Sequence, residues 1–166
     1  MIRHEVTEAT AHAVDFIIEN LWERGRKELD LMGYDLDSAM GAIQSWRQQN
    51  LPTMAVSFEG KPVFMAGLVP VKAQVMQTWF QATDEFTTHA RQITVILRKR
   101  LEEEAEARNL AELEIYSMCV HPKSSEWFGL LGFSLDHDYH HVCSGGARLY
   151  RFVRRFDHKV ERDVLS

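Results

Sequence analysis

Ala13, Val14, Ile17, Ile18 and Leu21 recur at the helical i, i+3, i+4 spacing with polar Asp15, Glu19 and Asn20 between them, so the chain opens on an amphipathic helix. It is expected to begin near Thr10 and to end at Gly25 or, if it continues through Leu29, at Gly33. Leu36, Ala39, Met40, Ile43 and Trp46 repeat the pattern as a second helix, with Asp35 or Asp37 as its N-cap. From Pro52 the period falls to two. Met54, Val56 and Phe58 alternate with Ala55 and Ser57, Glu59-Gly60-Lys61-Pro62 supplies turn chemistry, and an apolar run follows from Val63 to Val69, which predicts a hairpin. A further strand is expected over Val75 to Ala82, and a short one over Ile2 to Val6 ahead of the first helix.

The second half repeats both periods. Ile93, Ile96, Leu97, Leu101 and Ala105 form one face of a long helix ending at Asn109. Its other face carries Arg98, Lys99 and Arg100 and then Glu102, Glu103, Glu104 and Glu106, an order that opposes the helix dipole and reads as a solvated surface. Leu113 to Val120 reads as an internal strand, charged only at Glu114, and Ser124 to Leu131 as a short helix stopped by Gly132. A last hairpin is expected from Phe133 to Val142 and Arg148 to Phe156, joined through Gly145 and Gly146. Nothing repeats, and no low-complexity linker divides the 166 residues, so one domain over residues 1–166 is expected.

Composition narrows the function classes. With 45% hydrophobic and 26% charged residues the chain buries a core without needing a disulfide or a metal. Nineteen basic residues against 24 acidic ones give a net charge of −5, which argues against nucleic acid as the main partner. Cys119 and Cys143 are too few for a disulfide framework and predict free thiols in a reducing compartment. The start lacks an apolar signal region, and the longest apolar run, Val63 to Val71, is interrupted by Gly67 and Pro70, so neither export nor a membrane span is expected. Trp22, Trp46, Trp79 and Trp127 read as core and groove lining.

The order of elements, with Ser125-Glu126-Trp127-Phe128-Gly129-Leu130-Leu131-Gly132-Phe133, resembles the GNAT superfamily of acetyl-CoA-dependent N-acetyltransferases over nearly the whole chain. The sharpest part is the strand, short helix and Leu-Gly-Phe ending from Glu112 to Phe133. More narrowly, Thr78-Trp79-Phe80, then Val120-His121-Pro122-Lys123-Ser124 leading into Trp127-Phe128 and Gly132, is similar to the internal virion protein A family of short-tailed bacteriophages. The resemblance implies an α/β (α+β) fold: a mixed, mostly antiparallel central sheet flanked by helices and split near the fourth and fifth strands.

It also implies where acetyl transfer would be carried. In this fold the coenzyme A pyrophosphate is held by main-chain N–H groups at the start of the long helix, where the dipole favours an anion and glycine permits close approach. Counting back without gaps from Asn109, the family pattern Gln/Arg-x-x-Gly-x-Gly/Ala falls on His89, Ala90, Arg91, Gln92, Ile93 and Thr94, with Gln92 and Thr94 at the glycine positions. The usual proton-donating tyrosine falls on Phe128, which has no proton to give, and the frequent asparagine falls on His121. Tyr116, Tyr139 and Glu114 are the substitutes on offer. Two function classes follow. One is a phage-encoded component of the virion or of host interaction, bound to a phage or host protein in the host cytoplasm or the virion, with acetyl transfer weak or lost. The other is an active acetyl-CoA-dependent N-acetyltransferase acting on a host protein or small amine.

Asp136-His137-Asp138-Tyr139-His140-His141 mixes metal-ligand types, but strand alternation would divide them between two faces, so no metal is expected. Arg148 to Ser166 carries six basic residues (Arg148, Arg151, Arg154, Arg155, Lys159, Arg162) against Asp157, Glu161 and Asp163. That excess is either a docking surface for an acidic partner or an edge strand protected by charge.

Overall fold

The computed structural model describes residues 2–118, 122–139, 141–143 and 145–157. His121, Cys119, His140 and the tail carrying Lys159, Val160, Arg162, Val164 and Leu165 lie outside the described residues.

Helix α1 (Ala11–Glu19) starts where its cap allows: the Thr10 hydroxyl accepts from the Ala13 N–H at 3.1 Å, and Ala13, Val14, Ile17 and Ile18 form the buried face. The helix stops at Asn20, short of Gly25. Leu21 is buried and bridges to Thr83, and the Trp22 N–H donates to the Ala82 carbonyl at 3.0 Å. Those tertiary bonds outcompete continuation of the local helix, so the expected single helix is two. Helix α2 (Glu23–Met32) then ends on Gly33, left-handed at φ +79°, the conformation glycine adopts without cost. Helix α3 (Leu36–Gln48) is capped by Asp35, whose carboxylate accepts from the Ser38 N–H at 2.7 Å.

The strands are β1 (His4–Thr7), β2 (Thr53–Phe58), β3 (Lys61–Lys72), β4 (Val75–Ala82), β5 (Glu112–Ser117), β6 (Ser134–Leu135), β7 (His141–Val142) and β8 (Arg148–Arg155). Helix α4 (Phe86–Ala107) crosses between β4 and β5, and α5 (Pro122–Leu130) follows β5. The sheet runs β1-β2-β3-β4-β5-β8-β6, with β7 beside β8. Every pairing is antiparallel except β4 with β5, which is parallel and needs the α4 crossover. That parallel pairing holds only from Val75–Glu112 to Gln77–Glu114; beyond Gln77 the two strands part. The mixed, mostly antiparallel sheet flanked by helices, with its split between the fourth and fifth strands, is the expected fold.

Each face of the sheet has its own core. Val14, Ile17 and Ile18 of α1 and Ile43 of α3 pack on Ala55 and Met65, while Ile93, Leu97 and Leu101 of α4 and Phe128 of α5 pack with Val56, Phe64, Leu113 and Phe152. The outer face of α4 is a ladder of i,i+4 ion pairs, Arg98–Glu102 at 3.7 Å, Lys99–Glu103 at 3.9 Å and Arg100–Glu104 at 3.2 Å, as a solvated surface should be. Among the described residues no helix is long and apolar enough to cross a membrane.

Two expectations are corrected. The last hairpin does not form as one long pair: only Ser134–Leu135 and His141–Val142 pair with β8, and the chain between them turns, with the Asp136 carboxylate accepting from the Asp138 N–H at 3.1 Å. Short Asp side chains satisfy nearby amides and favour a turn over a strand. Strand β8 is also no edge, because it lies between β5 and β6, and two of its arginines are spent inside the fold, Arg151 on Glu112, Glu114 and Asp136 and Arg154 on Glu102 and the Leu131 carbonyl.

Candidate functional site

The split is where the fold leaves main chain unpaired. The Ala82 carbonyl bonds Trp22 and not β3, whereas the Thr83 N–H bonds Val63 of β3 at 2.9 Å. Even-numbered positions of β4 therefore turn their main-chain groups toward the split, and no strand among the described residues pairs with Thr78 or Phe80 there. The Thr78 hydroxyl is itself buried, without a hydrogen-bond partner among the described residues.

Helix α2 straddles the mouth of the split. Its cap residue Trp22 holds the end of β4, and the Glu28 carboxylate accepts from the Ser117 hydroxyl, at the end of β5, at 3.1 Å. Burial raises the Glu28 carboxyl above its ordinary range, outweighing Arg24 at 3.7 Å and the Ser117 bond, both of which favour the charged form. A raised native value means that ionised Glu28 costs stability once the pH passes upward through that range. Glu28→Gln keeps an acceptor for Ser117, so it is expected to raise the melting temperature at pH 7 and to leave it unchanged near pH 4; equal shifts at both pH values would refute the burial argument.

Beside Ser117, the structure brings together three of the residues expected from the sequence. The Tyr116 hydroxyl donates to Glu114 at 3.0 Å, and the Tyr139 ring meets the Tyr116 ring edge-on at 5.6 Å. Arg151 of β8 binds Glu112 and Glu114 and reaches Asp136 at 2.6 Å. Burial, then the hydrogen bond to Glu114 and its charge, push the Tyr116 phenol up to about 12. Such a phenol holds its proton at neutral pH and is poorly matched to protonating a thiolate. The hydrogen bond from Arg151, then the N–H of Asp138, holds the Asp136 carboxyl below its ordinary range. Glu114 and Tyr116 are thus committed to each other and to Arg151. Among the described residues no group of three or more His, Cys, Asp or Glu is placed to hold a metal, and the Cys143 thiol is free.

The six positions assigned to pyrophosphate binding lie inside α4 and not at its start. The helix begins at Phe86, so the N–H groups of Ala90 to Thr94 bond carbonyls one turn back. His89 stacks on Phe58 at 3.7 Å, Ile93 is wholly buried, and Thr94 donates to the Ala90 carbonyl at 2.6 Å while accepting from Trp127 at 2.8 Å. The true start of α4 is Phe86-Thr87-Thr88, preceded by Asp84 and by Glu85 at the cap. Phe128 is 1% exposed, packed on Phe152 at 4.7 Å and Phe80 at 6.1 Å, and Trp127 meets Phe80 at 4.9 Å and Phe86 at 5.3 Å. These rings belong to, or pack against, the core on the α4 and α5 side of the sheet.

Sequence reasoning missed Arg151 as an organiser and Glu28 altogether. Arg151 had a signal, since Glu112 and Glu114, two apart, fall on one face of their strand and Arg151 and Arg155, four apart, on one face of theirs. Glu28 had none, because it meets Ser117 across 89 positions of sequence.

No family model and no curated protein matches the sequence. Solved structures do. A ribosomal-protein-alanine N-acetyltransferase from Brucella melitensis is 14% identical, with a TM-score of 0.69 over 92% of this chain and 99% of that one. An acetyltransferase of the GNAT family from Streptococcus pneumoniae is 12% identical, with a TM-score of 0.67 over 93% and 99%. The PaiA N-acetyltransferase from Thermoplasma acidophilum, in complex with coenzyme A, is 12% identical, with a TM-score of 0.66 over 93% and 99%. At such identities the shared property is the fold, which is that of the GNAT N-acetyltransferases. The narrower resemblance to internal virion protein A gains no support from these neighbours.

Proposed function

We propose that the chain, one domain over residues 1–166, is a protein of the N-acetyltransferase fold that has lost acetyl transfer from acetyl-CoA and works as a binding component. The observation that carries this is the start of α4. A pyrophosphate needs free N–H donors and positive potential, whereas α4 runs unbroken through His89 to Thr94 and is preceded by Asp84 and Glu85. The residues present do not fit the group. Phe128 and the high-lying phenol of Tyr116 agree, since neither offers a ready proton. The partner is a protein of a phage virion or of its host, as the short sequence resemblance implies.

Titration with acetyl-CoA, paired with thermal unfolding, tests the reading. We expect no saturable heat at millimolar ligand and no shift in melting temperature. Binding strong enough that the ligand stands at 100 times its Kd would add about 2.7 kcal/mol of stability and would overturn the proposal in favour of an active transferase. The mouth of the split, with Glu28 and Ser117, would then be the place to seek the base.

A further inference from the structure

Strand β1 ends the sheet beyond β2, and all four of its residues are exposed. The Glu59 N–H donates to the Arg3 carbonyl at 2.9 Å, and the Glu59 carboxylate accepts from the Arg3 N–H at 2.8 Å, so the main-chain groups of Arg3 face β2. Successive residues of a strand turn those groups to opposite sides, so Glu5 and Thr7 also face β2, where they meet Ser57 and Ala55. Ile2, His4 and Val6 turn theirs outward, where no strand lies among the described residues.

The side chains along this open edge form a self-matching set. Ile2 is 52% exposed and Val6 43%, on the face shared with Phe58 and Val56, which stand opposite His4 and Val6 and belong to the larger core. Arg3 and Glu5 project from the other face, and neither enters an ion pair among the described residues. A row of lysines on an edge repels any second copy. Here one cation and one anion stand two residues apart, so whether two copies attract or repel is decided by register.

We propose that two copies of this chain pair antiparallel through β1, about a two-fold axis at His4, and continue the sheet from one copy into the other. In that register the outward main-chain groups of Ile2, His4 and Val6 meet those of the second copy's Val6, His4 and Ile2. Arg3 stands opposite the second copy's Glu5, twice by symmetry, in the non-hydrogen-bonded pairs where Cα atoms approach to about 4.5 Å and side chains come closest. Ile2 lies against the second copy's Val6, and the exposed apolar groups cover one another. Moving the axis by one residue sets Glu5 against Glu5 or Arg3 against Arg3, so the charges select this register. The patch complements itself, as an isologous interface requires. It is also small, which places the dimer among weak associations. Strands β2 and β3 separate it from β4 and the split, so its test is independent of whether coenzyme A binds.

The test is sedimentation equilibrium of the full chain from about 10 μM to about 1 mM, beside amide hydrogen exchange at both ends of that range. The mass should rise from one chain toward two. The N–H groups of His4 and Val6 should exchange more slowly at the higher concentration, while that of Glu5, which faces β2, changes least. Arg3→Glu and Glu5→Arg each set like charges opposite one another at two places, and each should weaken dimerisation at least about tenfold. Glu5→Arg makes the net charge of −5 less negative, so weakening in that variant cannot come from general repulsion. The double variant, Arg3→Glu with Glu5→Arg, exchanges the partners and should restore the dimer to within about threefold of the parent. Both positions are exposed, so the melting temperature of the dilute chain should not move in any of the three. A chain that stays single at about 1 mM, a dimer indifferent to the single variants, or a double variant no better than the singles overturns the proposal. Strand β1 is then an edge guarded by its charges or open to a strand of a different protein.

Discussion

Replacing Arg151 with methionine is expected to lower the unfolding free energy by about 3 kcal/mol at pH 7, the lower end of what breaking a buried ion pair costs. The side chain is 16% exposed and binds three carboxylates at once, of which Glu114 is only 5% exposed. Without the guanidinium, Glu114 is left charged and enclosed, with only the Tyr116 hydroxyl against it. The lower end applies because Asp136 and Glu112 retain some access to water. The pH dependence has a definite sign. Asp136 titrates below its ordinary range in the folded protein, so the stability it shares with Arg151 is present above the unfolded value near 3.8 and is lost as the pH falls through the lower, native value. Urea unfolding should show a gap between parent and Arg151→Met that is widest at neutral pH and narrows below about pH 4. Arg151→Lys should recover only part of the loss, since a point charge cannot fork between carboxylates. A loss below about 1 kcal/mol, the worth of a surface pair, would show that the network is solvated.

The second large effect is expected at Phe128, where truncation to alanine should cost about 3–5 kcal/mol. Its ring is enclosed by Phe80, Trp127 and Phe152, all members of the larger core or packed on it, so a cavity there has little freedom to collapse. Phe128→Tyr is the more informative change. It places at this position the hydroxyl that the resemblance to N-acetyltransferases implies, yet sets it among aromatic carbons. We expect a loss of about 1–3 kcal/mol from the unpaired hydroxyl and no acetyl transfer above background. Appearance of transfer in Phe128→Tyr would mean that one missing proton donor is all that separates the chain from an enzyme, and the proposed function would fail.

What could be read in the sequence was whatever local periodicity decides. Strand Val75–Ala82 and the Asp35 cap appear where spacing and side-chain chemistry put them, because neighbouring residues suffice to specify each. The break at Asn20 could not be read, since it depends on Leu21 and Trp22 finding Thr83 and Ala82, which lie far along the chain. The expected strand from Phe133 to Val142 failed for a local reason: alternation took precedence over the turn chemistry of Asp136 and Asp138. At the site, Tyr116 and Tyr139 do meet, but as a packed pair whose phenol is tied to Glu114. Counting back from Asn109 puts the pyrophosphate positions at His89 to Thr94, while the helix that carries them begins earlier, at Phe86.

The position of β8 governs how the molecule is made. Strands β2, β3 and β4 are joined in chain order, so that portion of the sheet pairs as it leaves the ribosome. The remainder does not. Strand β8 is translated last of the eight yet sits between β5 and β6, so β5 keeps one edge open and β6 waits without its partner until Arg155 has been added. During that interval Leu113 and Ile115 lack their neighbour Phe152, and Glu112 and Glu114 lack their arginine. A ribosome stalled before Arg148 therefore releases a chain with an open, half-charged strand, a natural substrate for chaperones and proteases.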